Sequence, residues 1–323
     1  MSVVAVLVTH DRRELLAEAL DAVAAQTRPP DAVIVVDNAS SDDTEAFLRA
    51  RRDTGGDPFP LEVVRTGRNI GGAGGFAAGI ARALARDAAL VWLMDDDTVP
   101  RPDALSALVA ARDRYAGDAP ALVAGRVVWT DGRDHPMNTP RDKPGVSAAE
   151  REAAAAVGCR PVRSASFVSV LVDADVVRER GLPVADYFLW NDDFEFTTRL
   201  LRGRRGLYCP DSVAVHKTRT FGDASDDPGD RFFYEVRNKI WLFTGSAGLA
   251  PAERALYAGA TLRRWSRTFA GSSDRAVLGR ALARGVRAGV LGRPRPTGAV
   301  LREAGVAGDR GGTDDPGSAD GSD

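Results

Sequence analysis

Leu90-Val91-Trp92-Leu93-Met94-Asp95-Asp96-Asp97 is an apolar run that stops on three successive carboxylates. Its apolar residues read as a strand buried on both faces, as a parallel sheet requires. Upstream, Val3-Val4-Ala5-Val6-Leu7-Val8 runs into Thr9-His10, and Ala32-Val33-Ile34-Val35-Val36 runs into Asp37-Asn38. Leu61-Glu62-Val63-Val64 is a further strand, followed by a Gly-rich stretch from Asn69 to Gly79 that opens a helix. Helical spacing fills the gaps: Leu15, Leu16, Ala19, Leu20 and Val23 after a capping-box-like Asp11 and Glu14, then a helix from about Asp43 to Arg52. This alternation predicts an α/β fold, a mostly parallel sheet flanked by helices with right-handed crossovers. Ligands of such sheets bind beyond the carboxyl ends of the strands, and three polar clusters fall on that rim.

The second half is less regular. Ala121 to Trp129 and Ser164 to Val172 read as strands, and Thr130 to Pro161 as a long loop with a short Ala-rich helix. Asp193 to Arg202 reads as a helix, and Val213-Ala214-Val215 as a short strand ending at His216. From about Asp230 the pattern is helical and basic, and the tail from Gly308 has a disordered composition. The expected division is 1–228 catalytic, 229–307 helical, 308–323 tail.

A formal net charge of −2 argues against nucleic acid as partner. The two cysteines, Cys159 and Cys209, have no metal-ligand spacing and fit a reducing cytosol. Neither a signal-peptide pattern nor an apolar run of about 18 residues is present. Membrane contact is therefore expected to be peripheral. Arg263, Arg264, Arg267, Arg275, Arg280, Arg284, Arg287, Arg293 and Arg295 alternate with Leu262, Trp265, Phe269, Val277, Leu278, Leu282, Val286, Val290 and Leu291. That pattern suits an anionic membrane surface, or a solvated face packed on the catalytic domain.

A diphosphate leaving group needs its charge neutralised, and Mg²⁺ or Mn²⁺ on hard carboxylate oxygens does this. In an extended strand end Asp95 and Asp97 point to one face; the plain alternative is a solvated acidic turn. Asp37 can accept from the N3–H of a uracil or thymine, or take part in capping the next helix. The glycines of Asn69-Ile70-Gly71-Gly72-Ala73-Gly74-Gly75-Phe76 let backbone approach a ligand, or pack a helix tightly on the sheet. Trp190-Asn191-Asp192-Asp193-Phe194-Glu195-Phe196 offers a carboxylate base at a helix start, or ordinary capping. His216 can complete a metal site with carboxylates, although a lone His is more often structural.

The ordered set of these motifs over roughly residues 3 to 245 resembles family-2 glycosyltransferases of the GT-A fold. Trp190 to Phe196, Val215-His216-Lys217-Thr218 and Phe232-Phe233-Tyr234-Glu235-Val236-Arg237-Asn238 look most like bacterial galactofuranosyltransferases of cell-wall galactan synthesis. The resemblance implies UDP-galactofuranose as donor, a polyprenyl-diphosphate-linked saccharide as acceptor, and Mn²⁺ or Mg²⁺. It implies that Asp95, Asp97 and His216 hold the metal and that Asp193 is the base, with Asp192 orienting the acceptor. Thr9, His10 and Asp37 would line the uridine pocket. Asn69, Gly72, Asp95 and Asp96 complete the implied donor set, and Trp190 joins Asp192 on the acceptor side. His10-Asp11 stands where many members have Tyr-Asn, and Asp192-Asp193 where many have Glu-Asp. The chain is shorter than polymerising galactofuranosyltransferases, so an initiating enzyme at the inner face of the plasma membrane is expected. The rivals are a dTDP-rhamnose-dependent transferase, a nucleotidyltransferase, which would need a basic phosphate loop that Thr9 to Leu15 does not supply, and a non-catalytic sugar-nucleotide-binding protein.

Overall fold

The computed structural model describes residues 1–221 and 227–306, so the expected tail at 308–323 lies outside the described residues. The first half follows the expected order: β1 (Val3–Thr9), α1 (Arg13–Ala24), β2 (Ala32–Asp37), α2 (Thr44–Thr54), β3 (Leu61–Arg65), α3 (Gly71–Leu84) and β4 (Leu90–Asp95). β1 lies parallel between β2 and β4, and β3 extends the sheet beyond β2. Then come β5 (Thr98–Pro100), α4 (Ala104–Arg114), β6 (Leu122–Val128), β7 (Arg141–Asp142), α5 (Ala148–Ala155), β8 (Arg160–Ser164) and β9 (Val170–Asp173). α6 (Ala174–Arg180), α7 (Asp192–Leu200) and β10 (Gly206–His216) complete the α/β part. The strand order is β3-β2-β1-β4-β9-β6-β10-β8-β7, with β5 on β10. The sheet is mixed but mostly parallel in direction, since only β5, β8 and β9 oppose the rest.

Both faces are covered, as the apolar runs required. Val4, Val6, Ile34 and Val36 pack with Phe76 and Ile80 of α3 on one side. Val3, Ala5, Leu7, Val33 and Val35 pack with Leu16 and Leu20 of α1 and Leu105 and Leu108 of α4 on the other. Two glycines set how close α3 comes. A Cβ on Gly75 would sit 2.4 Å from Val8 Cγ1, and one on Gly79 2.3 Å from Val6 Cγ1. Helix–sheet contact therefore explains much of the Gly-rich stretch. Gly72 is different, with open space where a Cβ would go.

Three local expectations are corrected. The α1 start is not a capping box, because Arg12 stands at the N-cap and makes no side-chain cap bond. Asp11 instead has φ 53°, and its Oδ1 accepts from the backbone N–H groups of Ser41 and Asp42, tying the loop after β1 to the loop after β2. Ser164 to Val172 is not one strand but the end of β8 and the start of β9, with Ser169 in the left-handed region between them. The strand ending at His216 is eleven residues long, with a register shift between Cys209 and Val213.

Helices α8 (Phe232–Gly245), α9 (Pro251–Gly271), α10 (Arg275–Leu291) and α11 (Thr297–Glu303) follow. Gly285 and Gly289 bring α10 onto α8, where a Cβ would meet Val236 and Ile240 at 2.8 Å. Leu278 is buried with Phe232 and Val236, and Trp265, Phe269 and Leu282 pack against them. Those four residues, expected on a membrane-facing surface, belong to an internal apolar cluster. Leu262, Val286, Val290 and Leu291 remain exposed, joined by Leu256. α11 returns to the α/β part, with the Gly67 N–H donating to the Ala304 carbonyl at 2.7 Å. Among the described residues no helix is long and apolar enough to cross a membrane.

Candidate active site

The site stands on the carboxyl rim of the sheet. β4 ends on Asp95, and Asp96-Asp97 form a turn before β5. Asp95 and Asp97 converge because of this turn, not through strand alternation. β5 then pairs antiparallel with β10, setting His216 opposite Thr98, and the Lys217 N–H donates to the Asp97 carbonyl at 2.8 Å. The short β5 thus carries His216 to the acidic turn across a gap of more than a hundred residues. Ligand atoms of Asp95, Asp97 and His216 all lie within 4.8 Å of one another.

These three residues suit a hard divalent cation. His216 Nδ1 lies 2.8 Å from Asn138 Oδ1, and the same amide donates from Nδ2 to Ser166 Oγ. The ring therefore donates from Nδ1 and turns Nε2 toward the acidic turn, as a metal ligand's imidazole does. Asp97 Oδ1 lies 3.0 Å from that Nε2 yet makes no hydrogen bond of acceptable geometry. A cation bound between these two atoms, or a proton on Nε2, relieves this contact. Neighbouring ligands on an octahedral ion with bonds of about 2.1 Å are about 3.0 Å apart. Asp95 is pushed well above the usual carboxylate range by burial and then by Asp97 and Asp96. Burial also acts to raise Asp97, but His216 and Arg12 outweigh it and hold the carboxyl low. Burial lifts Asp96 to about 6 against the opposing pull of Arg12.

Arg12 was not among the expected site residues. Its Nη1 reaches Asp96 Oδ1 at 3.2 Å and Asp97 Oδ2 at 2.9 Å. The signal was its place directly beyond β1, in the opening motif. His135 was also missed; it is fully buried, its Nε2 lies 2.9 Å from Thr218 Oγ1, and its ring centroid lies 5.2 Å from that of His216. It braces the segment that follows the strand. Asn138, which sets the His216 tautomer, sits in a stretch that reads as loop and gives no sequence signal.

On the nucleotide side Thr9 and Asp37 are neighbours in register, and both are buried. Asp37 is not a helix cap. One carboxylate oxygen accepts from the Ser40 N–H at 2.8 Å and the other from Arg65 Nη1 at 2.6 Å. His10 is exposed on the rim above them. Asn69 Oδ1 accepts from the Gly71 N–H and from Asn38 Nδ2, so Asn69 shapes the Gly-rich turn and leaves Gly72 as the open backbone.

Asp192 and Asp193 occupy the first turn of α7 behind Asn191, whose side chain makes no cap bond, and Asp193 Oδ1 accepts from the Phe194 N–H at 2.6 Å. Asp192 is buried and pushed up to about 8, first by burial and then by Asp193; it also adds to the field at Asp95, so it faces the acidic turn. Asp193 is raised by burial, opposed by the Phe194 N–H and then by Lys239 and Arg141. The two carboxylates therefore look toward different surroundings.

The turn that delivers them is strained. Phe188, Trp190 and Asn191 have φ of 64°, 66° and 66°. Asn238 holds this turn, its fully buried amide donating to the carbonyls of Tyr187, Leu189 and Trp190 at 3.0, 2.8 and 2.9 Å. Arg237 donates to the Asp186 and Tyr187 carbonyls, and Asn191 donates to Glu235. The Tyr-Glu-Val-Arg-Asn segment of α8 is thus a clamp on the turn that leads into Asp192 and Asp193, a role its sequence did not reveal. Arg231 lies over the Trp190 ring at 5.8 Å.

A family model described as Glycosyl transferase family 2 matches residues 4–171. The galactofuranosyltransferase GlfT1 of Mycobacterium tuberculosis (strain CDC 1551 / Oshkosh) is 34% identical over 262 residues, which cover 75% of this chain and 82% of that relative. Among solved structures, Staphylococcus aureus TarS 1–349 in complex with UDP superposes with a TM-score of 0.62 at 15% identity, covering 89% of this chain and 81% of that one. GalNAc-T7 with UDP, GalNAc and Mn²⁺ gives 0.54 at 14% identity, over 89% and 57%. The structural likenesses establish the shared fold.

Proposed function

The chain belongs to glycosyltransferase family 2, and on that premise we propose that it moves galactofuranose from UDP-galactofuranose to a polyprenyl-diphosphate-linked saccharide with inversion at the anomeric carbon. The convergence of Asp95, Asp97 and His216 on one point carries the reading. A Mn²⁺ or Mg²⁺ ion bound there would neutralise the diphosphate as the sugar leaves. The relatives favour this chemistry: the fold neighbours were solved with UDP, one of them with Mn²⁺, and the matched curated relative is a galactofuranosyltransferase.

The chain's own residues then divide the work. Thr9, His10 and Asp37 receive the uridine, with Asp37 held in place by Arg65 and the Ser40 turn. Gly72 supplies close backbone, and Asp96, tied to Arg12, faces the ribose side. Asp193 accepts the proton of the attacking acceptor hydroxyl. Its burial raises its proton affinity, which suits a base, while Lys239 and Arg141 act against that rise. Asp192 and Trp190 position the acceptor, and one displacement from the face opposite the diphosphate inverts the configuration.

We divide the chain into a catalytic part, residues 1–228, and a helical part from 229. Leu256, Leu262, Val290 and Leu291, exposed among the arginines of α9 and α10, suit peripheral contact with an anionic membrane, where a lipid-linked acceptor presents its hydroxyl. The test is nucleotide release from UDP-galactofuranose, UDP-galactopyranose and dTDP-rhamnose with a lipid-linked disaccharide acceptor, read by product mass. Asp193→Asn is expected to lose about 10² to 10⁴-fold in turnover while still binding UDP; near-normal turnover removes Asp193 from the role. Asp97→Ala is expected to abolish cation-dependent UDP binding, and an affinity indifferent to chelator in the wild type removes the metal site.

A further inference from the structure

Lys239 is a buried cation that the mechanism above leaves without a substrate contact. It lies on α8 with 6% of its surface exposed. Among the described residues no carboxylate lies within ion-pair distance of its Nζ, and no acceptor hydrogen-bonds to it. The ammonium instead sits 4.8 Å from the centre of the Phe194 ring and 5.9 Å from that of Phe243. Glu235, the carboxylate nearest in effect, already serves Arg264, Trp265 and Asn191. Burial drives Lys239 down to about 8 against the pull of Glu235 and Asp193. An ammonium taken out of water without a counter-ion is costly unless something pays for it.

Arg141 is a second unpaired cation, this one exposed on β7. It reaches from β7 to the same Phe194 ring, its guanidinium 5.5 Å from that ring and 5.8 Å from Tyr257. It too makes no ion pair or donated side-chain hydrogen bond among the described residues. Phe194 and Tyr257 meet edge to face at 5.2 Å. Lys239 and Arg141 both border the ring of Phe194, the residue after Asp193, and both lower the proton affinity of Asp193. Two cations without partners, from separate elements, thus flank the carboxylate proposed to take the acceptor's proton. Asp192, by contrast, looks to the donor side through Asp95.

We infer that Lys239 and Arg141, framed by Phe194 and Tyr257, form a subsite for a phosphate group carried by the acceptor. A phosphate supplies the missing counter-charge, and it is the one anionic chemistry that a diphosphate-linked saccharide brings beside the attacking hydroxyl. This rests on Asp193 being the base and on the acceptor carrying phosphate. The subsite adjoins α9 through Tyr257. Because the cations and the base are neighbours, the saccharide between phosphate and attacking hydroxyl must be short.

The experiment compares two soluble acceptors with the same sugars, one an alkyl diphosphate-linked saccharide and the other the neutral alkyl glycoside. The wild type is expected to prefer the diphosphate in kcat/KM by about 10- to 100-fold, the effect of one or two charge-assisted hydrogen bonds. Lys239→Met and, separately, the exposed Arg141→Gln are expected to reduce that preference toward one, mainly through KM. Lys239→Arg is expected to restore part of it, which a merely structural role does not predict. Inorganic pyrophosphate is expected to compete with the phosphorylated acceptor in the wild type and less in either variant. Anionic vesicles without acceptor are expected to leave the preference unchanged; if they abolish it, the cations serve lipid headgroups and the proposal is overturned. A wild type without preference, or variants that keep it, also overturns the proposal. Cation-dependent UDP binding and thermal melting, measured on the same proteins, separate this failure from misfolding or loss of the donor site. Absence of transfer to either acceptor by folded, UDP-binding wild type overturns the proposed function itself.

Discussion

Removing the Asn238 amide is the sharpest perturbation of the turn before Asp192 and Asp193 that leaves the metal-ligand candidates untouched. The amide has two hydrogens and three carbonyl acceptors, all within 3.0 Å, in a fully buried position. Asn238→Ala strands the Leu189 and Trp190 carbonyls, whereas that of Tyr187 keeps Arg237 and the Leu189 N–H as donors. Each net hydrogen bond is worth about 1 kcal/mol, and a buried carbonyl stranded by truncation costs about 1–3 kcal/mol. Two effective bonds therefore give a loss of about 2–4 kcal/mol. At about 2–4 °C per kcal/mol for a large domain, melting falls by roughly 4–16 °C. The catalytic loss is expected to exceed the stability loss. Phe188, Trp190 and Asn191 occupy the left-handed region, at about 1–3 kcal/mol of strain each. Once unclamped, the turn relaxes and moves Asp193. A displacement near 1 Å costs about 10²-fold in turnover. Asn238→Asp is the harder test, because it sets a carboxylate against three carbonyl oxygens and is expected to be worse than alanine. Thermal melting, product formation and cation-dependent UDP binding are measured together. Wild-type melting and turnover in Asn238→Asp refute the clamp. Loss of UDP binding in a folded Asn238→Ala refutes its confinement to the acceptor side.

Gly79→Ala is expected to lose about 1–3 kcal/mol by overpacking, because its Cβ meets Val6 at 2.3 Å, whereas Gly72→Ala is expected to keep its melting temperature and weaken UDP binding. Denaturant titration of both, with UDP affinity for the second, checks the contrast. Asp192→Asn is expected to change the pH dependence of stability. With the folded carboxyl raised from 3.8 to about 8, the folded state keeps its proton longer than the unfolded chain, so this group's contribution is present at low pH and lost as pH rises through that interval. In the presence of chelator the variant should gain stability on the wild type between about pH 4 and 8; parallel melting curves across that range refute the shift. His216→Gln is expected to lose cation-dependent UDP binding, and Asn138→Leu, which frees the ring to change tautomer, to weaken it by about 10- to 100-fold. A titration of UDP at fixed Mn²⁺ distinguishes them.

What was legible in the sequence follows from the range of the forces involved. The runs Val3 to Val8, Ala32 to Val36 and Leu90 to Met94 are buried on both faces, and burial on both faces leaves a continuous apolar signature that needs no partner to be seen. The acidic turn and the late His216 were visible as residue types at strand ends. Their convergence was not, because it depends on β5, three residues long, pairing antiparallel with the last strand. A strand that short has no periodicity to read. The membrane-like pattern of α9 and α10 misled in part for the opposite reason: an amphipathic period records that one face is apolar but not what covers it. Gly285 and Gly289 were the signal, since small residues one turn apart on the apolar side mark a close helix partner, here α8, and not a lipid surface. That same contact gives α8 its rigidity. Its Leu278-facing side is anchored in the helical cluster, and its Asn238 side can therefore hold three strained carbonyls against relaxation. The helical extension thus supports the turn before Asp192 and Asp193 directly, and the prediction at Asn238 extends to α10: enlarging Gly285, where a Cβ meets Val236 at 2.8 Å, should lower transfer more than it lowers UDP binding.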